Sequence, residues 1–314
     1  VSTETENLAG ASVAEAAREL QQSMGAVRVM FSWLGTQRKL SDAQTKQAAD
    51  TFSADDGLVT ASKRLIDTKH PSYKAVTAIK SQISAYWRGI TLPYPQESIR
   101  LIRQSDVAGF ETKMQEFRTM LHAAASNLQL EYETIKAGAR EKLGTLYNEA
   151  DYPTSLENVF DIKWDFPSVE PPNYLMNYNP ELYEQERNKI QQRFEDAVAL
   201  AENAFAEQLK GLVDHLIERL TDNPDGTRKT FRSSAIANFK EFADNFRRMN
   251  VRSNAQLEQL VTQAESLVGG VDVDDLKKKK DLRQELTSQM STIQTALDSL
   301  VTNAPSRRIV PMND

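Results

Sequence analysis

His70, His122 and His215 are the side chains whose ordinary titration falls near neutral pH, and none has a second histidine at helical spacing. His215 has Asp214 beside it and Glu218 one turn on. Such a carboxylate–imidazole pair could ligate a metal, but on a glutamate-rich helix it arises by chance and reads as a solvated face. Asp272, Asp274 and Asp275 resemble the start of a calcium loop. They lack its sixth-position glycine and closing glutamate, so capping of the last helix is the better role for Asp274 and Asp275. The chain contains no G-x-x-x-x-G-K-[ST], G-x-G-x-x-G or G-x-S-x-G. It has no cysteine, which removes thiolate nucleophiles, thiolate metal sites and disulfides together. With 44 acidic residues, no carboxylate pair singles itself out. The expectation is a protein without a catalytic residue, a cofactor or a metal site.

Cations remain as candidates. Lys277 to Lys280 must spread around a helix, and with aspartates on both sides they read as a solubilised helix. A second set, Arg228, Lys229, Arg232, Arg247, Arg248 and Arg252, flanks a phenylalanine-rich helix and is the candidate partner-binding surface. It could take an acidic protein or nucleic acid. The phenylalanines fall on the apolar face, so base stacking is not indicated; protein docking ranks above nucleic acid, and a plain solvated face ranks above both. The net charge, 38 − 44 = −6 over 314 residues, gives no bulk attraction to phosphate backbones.

The elements that would carry these residues are set out by proline and periodicity. No proline lies between Pro95 and Pro153, or between Pro180 and Pro224, and both gaps are rich in good helix formers. In the first, Val107, Phe110, Met114, Phe117, Leu121, Ala124 and Leu128 form a heptad seam. It continues through a stutter to Tyr132, Ile135, Ala139, Leu143 and Leu146. In the second, Ile190, Phe194, Val198, Ala201, Phe205, Leu209, Leu212, Leu216 and Leu220 follow an 11-residue repeat. A helix over 105–147 would be about 64 Å long, and one over 180–221 similar. Their pairing as a coiled-coil-like antiparallel hairpin is the expectation, and the seams serve equally well as assembly surfaces or as the core of one monomer.

Alternation marks two strands. Phe160, Ile162, Trp164 and Phe166 alternate with Asp161, Lys163 and Asp165, and Val27, Val29, Phe31 and Trp33 alternate on another segment. A lone strand is unstable, so these should pair with each other or with Arg308-Ile309-Val310. Shorter helices are expected over 12–23, 42–52 with Ser41 as cap, 58–68, 72–88, around Ala235, Phe239, Phe242, Phe246 and Met249, then 254–268 and 274–301. The expected fold is therefore mainly α: the long hairpin, a helical bundle and a small β element. Its parts are 1–104, 105–221 with a Pro-rich tip at 150–180, and 222–314, read as one continuous unit.

No segment has the roughly 18 consecutive apolar residues of a membrane span, and the charged tip argues against a membrane-active helical protein. The first ten residues carry Glu4 and Glu6 and no basic residue, unlike a signal peptide, so a cytoplasmic location is expected.

The stretches Trp33 to Leu40, Leu92-Pro93-Tyr94-Pro95, Ala150-Asp151-Tyr152-Pro153, Phe160 to Phe166, Glu218 to Thr221 and Thr230-Phe231-Arg232 give the chain a further signature. In that order it resembles a bacterial protein family of unknown function found in chromosomes, mobile elements and some phages. Members are associated with MoxR-type AAA+ ATPases and von Willebrand A-domain proteins. The resemblance implies an adaptor or substrate role in such a system and transfers no functional residue. The expected function is a non-enzymatic interaction or assembly protein with an AAA+ partner and a homo-oligomeric form. Nucleic-acid binding through the 228–252 cations is the alternative.

Overall fold

The structure, a computed structural model, describes residues 2–302 apart from 224, 226, 252 and 272; the side chains of 2–12, 273, 274, 277 and 302 are also outside the description. In chain order the elements are α1 (Ser2–Ser23), β1 (Met24–Ser32), β2 (Gln37–Lys39), α2 (Asp42–Thr51), β3 (Ser62–Arg64), α3 (Pro71–Gly89), β4 (Thr91–Pro93) and β5 (Ile99–Arg103). Then come α4 (Val107–Leu143), β6 (Asp161–Asp165), α5 (Tyr174–Tyr178), α6 (Pro180–Leu220), α7 (Ser234–Met249), α8 (Ala255–Gly269), α9 (Val273–Lys278) and α10 (Lys280–Thr302). The protein is mainly helical with a small antiparallel β component. It divides into two compact units, one of residues up to 26, 90–104 and from 167 onward, the other of 27–89 and 105–166.

In the 27–89/105–166 unit, α4 is the spine and α3 lies along it. The heptad seam is the buried face of α4: Phe110, Met114, Phe117, Leu121, Ala124, Leu128, Tyr132 and Ile135 are all buried. Tyr86 of α3 lies parallel to Phe110, with ring centroids 6.3 Å apart. The two alternating segments pair with each other, antiparallel, with Val29 opposite Trp164 and Phe31 opposite Ile162. Their outer faces meet as a bidentate ion pair, Arg28 donating to Asp165 at 3.0 and 2.5 Å. Asp161 pins β6 to α4 by accepting from Arg118 at 2.9 and 3.0 Å and from His122 Nε2 at 3.0 Å. Burial pushes the Asp161 carboxyl up, but hydrogen bonds from Arg118 and His122 outweigh it, and the net displacement is downward. Ser41 caps α2 in a reciprocal capping box with Gln44.

In the other unit α6 is the spine, with α10 and α1 packed along it and α7 and α8 closing the bundle. The 11-residue stripe is its buried face from Ile190 to Leu220; only Leu212 of the nine is partly exposed. Phe239, Phe242, Phe246 and Met249 turn inward from α7, and Phe246 meets Phe205 edge-on at 5.1 Å. β4 and β5 form a short antiparallel pair with Leu92 opposite Leu101.

Each long helix finds partners within its own unit: α3 lies along α4, and α10 and α1 lie along α6. The seam of α4 is core from Phe110 to Ile135 and half-covered at Ala139, Leu143 and Leu146, while that of α6 is core except at Leu212. One expectation needs correction. The expected helix over 58–68 is instead a short 3-10 turn, strand β3 paired with β2, and a turn into α3. The β2–β3 pairing turns the Lys63 side chain inward, where it stands 2.6 Å from Asp151. The tail strand 308–310 lies outside the described residues.

Candidate functional site

The candidate cations are split by the structure. After α6 ends at Leu220, a turn reverses the chain: Asp225 Oδ1 accepts from the N–H and hydroxyl of Thr227, and Asn223 N–H donates to the Thr227 carbonyl at 2.8 Å. The returning segment runs beside the last turn of α6, with Phe231 buried. Arg228, Lys229 and Arg232 therefore stand against His215, Glu218 and Arg219 across a cleft of about 610 Å³. Ser234, the first residue of α7, closes it.

Within the cleft four cationic side chains face one carboxylate, Glu218. Glu218 lies 3.8 Å from both Lys229 Nζ and His215 Nδ1. Arg228 donates to the Lys278 carbonyl at 3.3 Å. The guanidinium groups of Arg219 and Arg232 have no ion-pair partner among the described residues. A concentration of positive charge at the C-terminal end of α6 complements the negative end of its dipole, and that alone stabilises the turn. It also makes the cleft the place where an oxyanion would be held.

Arg247 and Arg248 do not join it. Arg247 pairs with Glu265 on α8 and stands near Asp244, and Arg248 donates to Asn245 at 3.1 Å on its own helix. The Glu265 hydrogen bond holds the Arg247 pKa above its ordinary value. Arg252 lies outside the described residues.

Arg219 and Ser234 were not in the sequence-derived set. The signal for Arg219 was the turn over 222–226, which folds residues 228–232 back onto α6. Beneath the cleft, Arg283 of α10 is 4% exposed and caps α6: Nε donates to the Leu220 carbonyl at 3.1 Å, and Nη2 to those of Arg219 and Leu220 at 3.0 and 2.9 Å. Asp222 lies 3.6 Å from it.

Among the described residues no group of three or more His, Asp or Glu side chains is placed to hold a metal ion, and no helix is long and apolar enough to cross a membrane. Comparison with known proteins returns no match among protein families, curated proteins or solved structures.

Proposed function

We propose that this chain is a non-enzymatic interaction protein that docks a protein partner. The observation that supports it is the segment leading into α6. Tyr174, Met176, Tyr178 and Leu182 are all exposed within nine residues, Tyr178 at 85% and Tyr174 at 62%. Aromatic residues and methionine are the types enriched at interface centres, and a soluble surface gains nothing by displaying them together. The segment is held rather than trailing: Asn179 caps α6 by accepting from the Leu182 N–H at 3.1 Å, and Pro180 opens the helix. Tyrosine has only two side-chain torsions to order, so docking through it costs little conformational entropy.

The family resemblance supplies the partner: a MoxR-type AAA+ ATPase working with a von Willebrand A-domain protein, this chain serving as adaptor or substrate. The test is co-purification of a co-expressed MoxR-type ATPase with the tagged chain. The expected result is recovery of the ATPase with the unaltered chain and its loss with Tyr174→Ala/Tyr178→Ala. Those exposed substitutions should change folding stability by no more than about 0.5 kcal/mol. Failure to recover the ATPase, or equal recovery by the variant, rejects this reading.

The cleft at Arg228, Lys229 and Arg232 favours a second reading, binding of nucleic-acid phosphates. Such binding must weaken with salt by a slope of roughly 0.9 per phosphate contact in double-stranded DNA. A salt-insensitive affinity, or none, disposes of it.

A further inference from the structure

The apolar stripe of α4 runs on past its buried part. Ile135 is buried, but Ala139 and Leu143 are only half covered. Gly138 lies among them with open space where a Cβ would stand. Facing them is the turn that joins β3 to α3. Asp67 shapes this turn, its Oδ1 accepting from the Lys69 N–H at 2.9 Å and its carbonyl from the His70 N–H at 3.1 Å. Leu65 and Ile66, just before it, are buried.

Between α4 and this turn is a cavity of about 530 Å³. Small-molecule sites commonly span about 300–1,000 Å³ and combine an apolar lining with a few polar groups. Here the lining follows that division. Leu65, Ile66, Ile135, Ala139 and Leu143 supply the apolar part, and Arg64, Lys69 and Lys142 the cations, against Asp67 as the sole carboxylate of the lining. Asp67 is already engaged by the Lys69 amide and lies 3.9 Å from Lys142. His70 adds a buried ring nitrogen, Nδ1, with no hydrogen-bond partner among the described residues. A group of this kind costs desolvation unless something in the cavity meets it.

We propose that this cavity binds a small amphiphile with one anionic head, a medium-chain carboxylate, its chain along Ala139 and Leu143 and its head among Arg64, Lys69 and Lys142. The apolar wall accounts for the chain, the excess of cations for the head, and Gly138 for the room. This site is independent of the docking segment at 174–182.

Calorimetric titration of the full chain with laurate, below its micelle-forming concentration, tests this. Dodecanol and dodecyltrimethylammonium serve as neutral and cationic comparators. Laurate should bind one to one and saturably, with each comparator at least about tenfold weaker. Gly138→Leu should fill the cavity and weaken laurate by about tenfold or more while holding or raising the melting temperature, since leucine favours the helix. Lys142→Glu should weaken laurate and leave dodecanol unchanged. The proposal is overturned if laurate does not saturate, if dodecanol binds equally well, or if Gly138→Leu in its folded form retains the unaltered affinity.

Discussion

Two buried cations show how single residues hold this fold. The side chains of Lys63 and Asp151 are 8% and 9% exposed; their charges stand 2.6 Å apart, at an angle outside hydrogen-bond geometry. Lys63 Nζ donates instead to the Leu146 carbonyl at 2.5 Å. Arg38 Nε stands 3.5 Å from the other Asp151 oxygen, so Lys63→Met leaves Asp151 one exposed cation and the Leu146 carbonyl without this donor; it should destabilise by about 1–3 kcal/mol, and Lys63→Met/Asp151→Leu should recover part of that loss. Chemical denaturation of the two variants checks it, and equal destabilisation would contradict the argument. Arg283 acts on a helix end, where the last carbonyls have no intrahelical donor. Arg283→Met leaves the carbonyls of Arg219 and Leu220 short of their buried donor and should cost about 2–4 kcal/mol by the same measurement. Neither role was legible in the sequence, because nothing local distinguishes Lys63 or Arg283 from the other 36 Lys and Arg residues.

At the scale of elements, the exit from α4 is tied by one carboxylate. Glu149 accepts from Tyr147 Oη at 2.7 Å, Lys136 at 3.1 Å and Arg140 at 2.8 Å. Led by the Tyr147 bond, these contacts hold its pKa down to about 2 from an ordinary 4.5. A folded-state pKa below the unfolded one means a contribution to stability that is complete above about 4.5 and lost as pH falls through about 2. Glu149→Gln should therefore show a flatter dependence of melting temperature on pH across that interval; identical slopes would refute the assignment. Other element-level features could be read directly. The seam residues of α4 and α6, the alternation of β1 and β6, and the Ser41 cap are local patterns, and the structure carries each of them. Periodicity names a buried face but not what covers it, which is why α3 and α10 could not be foreseen as partners of the long helices. The 58–68 stretch misled because its pairing with β2 lies outside any local preference.

The whole molecule is an interleaved pair of units. The chain passes between them after residues 26, 89, 104 and 166. A fragment over 105–221 contains both long helices but lacks α3, α1 and α10, which cover their apolar faces. It should give no cooperative thermal transition by circular dichroism, while the full chain does; a cooperative melt of the fragment would support the hairpin. The candidate cleft is likewise a product of long-range assembly, since Arg283 must arrive from 63 residues away to cap Leu220 beneath it.

That interleaving also orders events during synthesis. Every segment of the 27–89/105–166 unit has been made once Phe166 emerges, whereas the other unit waits for α10, which ends at residue 302. At about 5–20 residues per second that interval is roughly 7–27 s. Through it α1 has no finished bundle to join. Among its described side chains, those turned inward are Val13, Ala16, Ala17 and Leu20, all aliphatic and half of them alanine, so that part of the waiting helix exposes little to aggregate.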